Sequence, residues 1–291
     1  MSIAGHKARK STNTASPRRQ TSRRQSSFKR NKASLFVRVL SRVPRWFLWV
    51  GGIGVALLYV LFILQVVLHF SMPWQAIFGE APEPEGYTVR GVDISHYQNR
   101  IDWGTLKQAT IQNQPVRFVI MKATEGRTIR DNTFRENFKQ AHANDFIVGA
   151  YHFFVPASDS QQQADNYIRN VKLQNGDLPP ILDVEKAGRL STEKLQEAVR
   201  TWLNTIEKHY GVRPIIYTYY KFKMQYLNTP EFDAYPFWIA HYYKDELEYK
   251  GDWVFWQYTD CGVVPGIGGR VDCNVFNGDF DQLLDLCITG Q

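Results

Sequence analysis

A run of 25 residues without a formal charge, from Trp46 to Phe70, divides the sequence into two unequal parts. At about 1.5 Å rise per residue, a helix of this length can cross a hydrocarbon core of about 30 Å. A cleaved signal peptide is the alternative, but its apolar region is usually only about 7 to 15 residues long. The run therefore predicts an uncleaved transmembrane helix over residues 46–70.

Charge is distributed unequally on the two sides of this run. Thirteen of the 35 Lys and Arg residues lie in residues 1–45, and no Asp or Glu precedes residue 80. Positive residues are enriched on the cytoplasmic side of membrane spans, so we expect a cytoplasmic N-terminus and a periplasmic or extracellular C-terminal part. The basic run is interpreted as a topology determinant that contacts anionic lipid. Because residues 80–291 are mildly acidic, nucleic-acid binding is not expected.

Composition predicts four segments along the chain. Residues 1–45 are rich in small polar and basic side chains and are expected to form a disordered cytoplasmic tail. Residues 46–70 are the predicted transmembrane helix, and residues 71–87, which contain three prolines, are a predicted stalk. Residues 88–291 contain enough apolar side chains for one sizeable core and form the predicted globular domain.

The predicted globular domain alternates short β-rich runs with polar helical stretches, which is typical of repeated βα units. Ser158 and Gln161 predict a capping box at the start of one helix, and apolar residues after Ser191 lie on one face of another. Eight strands in about 205 residues predict an α/β fold, a compact irregular (β/α) barrel with fewer outer helices than the regular form of about 250 residues. The predicted strands are 88–95, 118–124, 147–154, 179–185, 214–219, 237–242, 254–259 and 269–276.

Acids and aromatic residues predominate at the ends of these strands. The active site of a (β/α) barrel is built at the carboxyl ends of its strands, so these side chains form the candidate site. Aromatic rings beside carboxylates favour a carbohydrate substrate. We expect no cofactor and no metal, because neither a phosphate-binding loop nor a metal-ligand spacing is present there. The residues are Asp93, Glu125, Tyr151, His152, Asp183, Glu185, Tyr217, Tyr219, Trp238, His241, Trp256, Gln257 and Asp272.

Asp183 and Glu185 are separated by one residue in the predicted strand PPILDVE. Residues i and i+2 of a strand point to the same face, so both carboxylates are expected in one space. Two close acids in a semi-buried cleft do not both ionise easily, which raises the pKa of one of them. Glycoside hydrolysis needs such a general acid and a second carboxylate. The alternative is that the two acids cap the next helix or pair with Lys186 or Arg189.

Eight motifs of the predicted barrel can be read in order: GVDISHYQNRIDW (91–103), KATEG (122–126), GAYHFF (149–154), LDVE (182–185), IIYTY (215–219), WIAHY (238–242), WQYT (256–259) and VDCNVF (271–276). Together they resemble glycoside hydrolase family 25, the Chalaropsis-type lysozymes. The resemblance covers residues 88–286. It implies an irregular (β/α) barrel that cleaves the β-1,4 bond after N-acetylmuramic acid in peptidoglycan.

The resemblance also implies roles for four acids. Glu185 would be the proton donor, and Asp183 would hold and polarise the 2-acetamido group or otherwise stabilise the oxocarbenium-like state. Asp93 and Asp272 would complete an acidic floor, although Asp93 could instead tie strands together and Asp272 could cap a helix or loop.

The same resemblance implies walls for the substrate, with packing in the core as the alternative for each aromatic. His152 and His241 are expected to be structural hydrogen-bonding residues and not catalytic bases. The implied substrate-binding residues are Tyr151, Tyr217, Trp238, Trp256 and Gln257.

Three cysteines lie in the last 31 residues, in the part of the chain that we expect in an oxidising compartment. Cys261 and Cys273 flank a glycine-rich loop, and we expect a disulfide between them. Pairing of either one with Cys287 remains open.

The leading hypothesis is a membrane-anchored muramidase whose partners are peptidoglycan glycan strands and membrane lipid. One alternative is a catalytically silent wall-binding module or scaffold on the same fold, against which the four acids argue. Another is a chitinase-like N-acetylhexosaminidase.

Overall fold

The computed structural model describes residues 44–69 and 83–290. The chain divides into two compact units, and the boundary between them in the sequence falls between Val66 and Val67. The predicted tail, apart from its last two residues, and the predicted stalk up to residue 82 lie outside the described residues.

Nearly all of the residues that the structure describes in the N-terminal unit belong to helix α1 (Arg45–His69), which extends three residues past the unit boundary. The side chains described along it are mostly apolar and exposed, including Leu58, Leu61 and Phe62. Over the described residues, no helix is found that is long and apolar enough to cross a membrane. The transmembrane helix therefore stays a prediction from the sequence.

The C-terminal unit alternates strands and helices from Arg90 onward. Its helices are α2 (Trp103–Gln108), α3 (Phe134–Ala143), α4 (Ser160–Asn170), α5 (Thr192–Tyr210), α6 (Tyr220–Tyr226), α7 (Pro230–Asp233) and α8 (Phe280–Leu286). Its strands are β1 (Arg90–Ile94), β2 (Thr110–Ile111), β3 (Gln114–Glu125), β4 (Ile129–Arg130), β5 (Ile147–Phe153), β6 (Ile181–Asp183), β7 (Ile215–Tyr219), β8 (Phe237–Ala240), β9 (Phe255–Gly262) and β10 (Val271–Phe276).

Eight strands close into a barrel in the order β1, β3, β5, β6, β7, β8, β9, β10, after which β10 pairs with β1. All neighbouring pairs are parallel except the two made by β10, which is antiparallel to both β9 and β1. The predicted α/β barrel is confirmed, and all eight predicted strands are present. Within residues 83–290, no helix lies between β8 and β9 or between β9 and β10, which makes the barrel irregular.

Side chains alternate between two buried layers. Val92 and Val119 face the helices, whereas Phe118, Ile120 and Phe255 fill the barrel interior. Helix α8 contributes apolar side chains to the interior cluster, together with residues near the amino ends of several strands. The open end of the barrel is therefore its carboxyl end, where an active site is expected.

The helices begin and end at residues with the appropriate capping chemistry. Ser191 caps α5, its hydroxyl accepts a hydrogen bond from the Lys194 amide, and Gly211 ends the helix in the left-handed conformation that glycine favours. The predicted capping box at Ser158 is wrong. Asp159 caps α4 instead, because its carboxylate accepts from the Gln162 amide.

The segment before β1 is tied to the barrel at the amino end of that strand. The buried Arg90 donates through Nη2 to the Pro84 carbonyl over 2.6 Å, and also to Gln112 Oε1. Gln112 Nε2 donates to the Glu83 carbonyl over 2.9 Å. Glu83 shares a groove with Gln112, Tyr258 and Cys273, so residues 83–90 pack against β9 and β10 as well as the β2–β3 turn.

The predicted disulfide between Cys261 and Cys273 is absent, and both thiols are free and buried, as is that of Cys287. An irregularity in the pairing of β9 with β10 sets Thr259 opposite Cys273. Cys261 lies two residues farther along β9, and its sulfur is 3.1 Å from the Thr259 hydroxyl. The twelve-residue separation of the two cysteines in the sequence gives no indication that Cys261 and Cys273 are out of register by two residues.

Gly91 provides a test of the packing inside the barrel. A Cβ at this position would overlap the Phe118 ring, so Gly91→Ala should lower the free energy of unfolding by about 1–3 kcal/mol. The matched control is Gly104→Ala in α2, where a Cβ would be 3.6 Å from its nearest neighbour. Chemical denaturation measures both variants, and equal stabilities would contradict the packing argument.

Candidate active site

A cleft of about 260 Å³ lies at the carboxyl end of the barrel. Because β10 runs in the opposite direction, it contributes its amino end to the same face, which is why Asp272 near its start reaches the cleft. The cleft is lined by Asp93, Tyr151, Asp183, Glu185, Tyr217, Tyr219, Trp238, Tyr242, Gln257, Asp260 and Asp272.

Asp183 and Glu185 project into this cleft together, at and just beyond the end of β6. Val184 between them is buried toward the helices. Burial raises the pKa of both carboxyls, and the charge of Glu185 raises that of Asp183 further. Asp183 is 5% exposed, and its Oδ1 has no hydrogen-bond partner among the described residues. The floor of the cleft therefore contains a buried acceptor that protein groups do not satisfy.

Asp93 is held by two amide side chains from neighbouring strands. Its Oδ2 accepts from Gln257 Nε2 and from Asn274 Nδ2, each over 2.7 Å. Gln257 lies on β9 and Asn274 on β10. The three residues connect three strands at the floor of the cleft.

Further donors fix the orientation of both amides. Tyr217 and Tyr242 each donate a hydroxyl to Gln257 Oε1 over 2.7 Å, and Trp238 Nε1 donates to Asn274 Oδ1 over 2.8 Å. With each carbonyl oxygen satisfied, the NH₂ group of each amide must face Asp93. The network therefore directs two donors at one carboxylate.

Asp93 and Asp272 face each other across the β1–β10 pair and share a hydrogen bond. Burial raises the pKa of Asp272 to about 9, with the charge of Asp93 adding to the effect. Burial also raises the pKa of Asp93, to about 6, although the bonds from Asn274 and Gln257 oppose the rise. Asp272 therefore carries the proton of this pair at neutral pH.

The structure brings together most of the predicted site residues. The four acids line the cleft, as do Tyr151, Tyr217, Trp238 and Gln257.

Trp256 lies elsewhere, fully buried against the helices, where its Nε1 donates to the His241 carbonyl over 2.8 Å. Adjacent strand residues point to opposite faces, so Trp256 and Gln257 cannot both face the cleft. The prediction that Trp256 lines the substrate site is wrong for this reason.

Several cleft residues were not among the predicted site residues. Tyr242 is the last residue of the predicted strand 237–242 and Asp260 follows the predicted strand 254–259, whereas Tyr219 was a candidate site residue without an assigned substrate-binding role. Asn274 was overlooked because a lone amide in a strand gives no signal of its own. Its position opposite Gln257 in the β9–β10 pair is what gives it a role.

The two histidines stay outside the chemistry. His152 is buried, stacks on Trp202, and contacts Thr124 and Gln163 through its two ring nitrogens. Burial lowers its pKa to about 3, so the ring is neutral. His241 stacks on Tyr220, and burial lowers its pKa as well. Over the described residues, no group of His, Cys, Asp and Glu side chains could hold a metal ion.

Comparison with known proteins agrees with this geometry. The profile of glycosyl hydrolases family 25 matches residues 92–267. The chain belongs to this family.

Two relatives illustrate how far the similarity of this family 25 chain extends. Uncharacterized protein YegX of Escherichia coli strain K12 is 40% identical over 201 residues, which cover 69% of this chain and 74% of that protein. Lysozyme M1 of Streptomyces globisporus is 34% identical over 217 residues, which cover 68% of this chain and 71% of that protein.

The crystal structure of the bacterial lysozyme from Streptomyces coelicolor is similar with a TM-score of 0.64 and 32% identity, over 70% of this chain and 98% of that one. This family 25 chain is therefore a glycoside hydrolase of the lysozyme type, acting on peptidoglycan.

The raised pKa of Asp272 predicts how stability changes with pH. A carboxyl whose folded pKa of about 9 exceeds an unfolded value of about 3.9 favours folding at low pH and loses that contribution as pH rises. Asp272→Asn lacks this titration, so its melting temperature should fall less than that of the parent between about pH 5 and pH 9. Parallel melting curves for parent and variant would contradict the assignment of the proton to Asp272.

Proposed function

We propose that this hydrolase cleaves the β-1,4 bond between N-acetylmuramic acid and N-acetylglucosamine in peptidoglycan. The observation that supports it most directly is the buried, unpartnered Oδ1 of Asp183 beside Glu185. A 2-acetamido group has an N–H donor, which matches this acceptor. A buried acceptor without a partner costs about 1–3 kcal/mol, and a substrate N–H would recover part of that.

Glu185 is the proposed proton donor. It is more exposed than Asp183, and its raised pKa favours the protonated form that a general acid needs. Lys186 and Lys122 lower the pKa of Glu185 and limit the rise, so the carboxyl can still release its proton to the leaving oxygen.

Asp183 is the proposed stabiliser of positive charge on the sugar or on its acetamido group. Burial, and then repulsion from Glu185, raise its pKa and disfavour its ionised form. A cationic centre that forms beside it reverses this balance, because an opposite charge at close range favours the carboxylate. The interaction is thus strongest in the transition state, where it accelerates the reaction.

Aromatic walls complete the proposed substrate site. The ring centroids of Tyr217 and Trp238 lie 4.5 Å apart in an edge-on arrangement. The ring centroid of Tyr151 lies 6.5 Å from that of Trp238. Tyr217 and Trp238 also donate to the amides that hold Asp93, so their rings have a fixed position for a sugar to contact.

Digestion of purified peptidoglycan tests the function. We expect soluble muropeptides whose new reducing ends, identified by mass spectrometry, are N-acetylmuramic acid. Chitin oligomers serve as the control substrate and should be cleaved poorly. Faster cleavage of chitin would favour an N-acetylhexosaminidase, and no cleavage of either polymer would indicate a silent binding module.

Two substitutions separate the roles of the acids. Glu185→Gln removes the proton and should slow wall hydrolysis by roughly 10²- to 10⁴-fold. Asp183→Asn should be equally impaired, because an amide cannot stabilise a developing cation. A substrate with a good leaving group should rescue the first variant and not the second. The matched control is Glu193→Gln, an exposed acid on α5, which should behave as the parent. Equal rescue of the two cleft variants by the good leaving group would refute the division of roles.

We also propose that the protein is a single-pass membrane protein with a cytoplasmic N-terminus and an outer catalytic domain that reaches the wall. The uncharged run, the helix α1 and the thirteen bases that precede residue 46 support this. Membrane lipid would then contact the apolar side chains exposed on α1.

A reporter fusion tests this topology. A phosphatase-type reporter that is active only outside the cytoplasm, fused after Gln291, should be active, whereas a reporter active only in the cytoplasm should be silent there. The reverse pattern would contradict the topology. Release of the outer domain by cleavage near residue 80 would indicate a signal peptide instead.

A further inference from the structure

A second groove lies outside the cleft, with a volume of about 610 Å³ against about 260 Å³ for the cleft. One wall follows the carboxyl end of β1 and contributes Asn99, Arg100 and Trp103. The other wall contributes Asn132, Asn137 and Gln140 and follows β4, which pairs with the carboxyl end of β3. Both walls therefore belong to the same end of the barrel as the cleft.

Asn137 is the unusual residue of this groove. It is only 6% exposed, yet its side chain makes no hydrogen bond within residues 83–290. Phe134 and Ala141 on the same helix are packed in the core. Neither polar atom of its side chain is among the fully buried atoms that lack a partner, so the amide is open to the groove and free to bond a ligand there.

The two walls are held together before any ligand arrives. The buried Asp131 carboxylate accepts from the His96 amide over 3.0 Å and from the Thr133 amide over 2.9 Å, which joins the loop after β1 to the start of α3. Trp103 packs edge-on against Phe146 with ring centroids 5.9 Å apart. A preformed groove loses little entropy on binding.

The side chains of the groove favour an uncharged ligand. Amides predominate, and each amide both donates and accepts, as hydroxyl and acetamido groups require. Arg100 and Glu136 are the charged residues that line the groove, and their charges are opposite. The lining is therefore close to neutral, which gives no net attraction for the acidic peptides of the wall.

We propose that this groove is a second glycan-binding site, which holds an uncharged stretch of N-acetylated sugar outside the cleft. The proposal rests on the proposed function, because the ligand is a further segment of the same polymer. Binding there would retain the enzyme on an insoluble strand without taking part in the chemistry.

Two substitutions test the site in the full chain. Asn137→Leu removes the amide that opens into the groove, and Asn132→Ala removes an exposed amide whose side chain makes no hydrogen bond within residues 83–290. In a Glu185→Gln background, each should weaken binding to purified peptidoglycan, by about tenfold for Asn137→Leu. With Glu185 intact, each should slow digestion of insoluble wall while a short soluble substrate with a chromogenic leaving group is hydrolysed at the parent rate.

Gln108→Ala, an exposed amide at the end of α2 outside the groove, is the matched control and should change neither rate. Unchanged wall binding by both variants would overturn the proposal. So would an equal loss on the insoluble and the soluble substrate, which would indicate a structural defect. Parent binding that disappears when stem peptides are removed from the glycan would assign the groove to peptide and reject a glycan. A parent inactive on both substrates would instead refute the proposed function.

Discussion

The Asp93 carboxylate is the point on which both the closure of the barrel and the floor of the cleft depend. It lies on β1, and its two donors lie on β9 and β10, so three strands meet at one oxygen. Hydrogen bonds to a charged group contribute roughly 1.5–3 kcal/mol each, about twice the contribution of neutral ones. The antiparallel β10 is thereby joined to parallel neighbours at the position where the substrate is proposed to bind. A substitution of Asp93 would therefore change both the connection of the three strands and the chemistry of the cleft floor.

The alternation of side chains along each strand decides which residues take part. On β6, Asp183 faces the cleft, as does Glu185 just beyond the strand, while Val184 packs outward. On β9, Gln257 faces inward and Trp256 outward. Every second residue of a strand faces the same side. This rule correctly predicted that Asp183 and Glu185 both face the cleft, and it also explains why Trp256, next to Gln257, does not.

Much of this architecture could be predicted from the sequence. The eight strands and the acids at their ends were predictable because hydrophobic runs and polar termini are local features. The direction of β10 was not, since its run reads the same whether it is parallel or antiparallel. Asn274 and Tyr242 escaped notice because their roles arise from partners on other strands. The cysteines were paired wrongly because an irregular register between β9 and β10 is invisible in residue counts.

The attachment of residues 83–90 has a practical consequence for handling the enzyme. Arg90 and Gln112 fasten this segment at the amino end of β1, whereas the cleft opens at the carboxyl end. Glu83 lies in a groove with Gln112, Tyr258 and Cys273, none of which lines the cleft. The domain could be immobilised on a bead or a sensor surface through this segment with its cleft left accessible to a bulky, insoluble polymer.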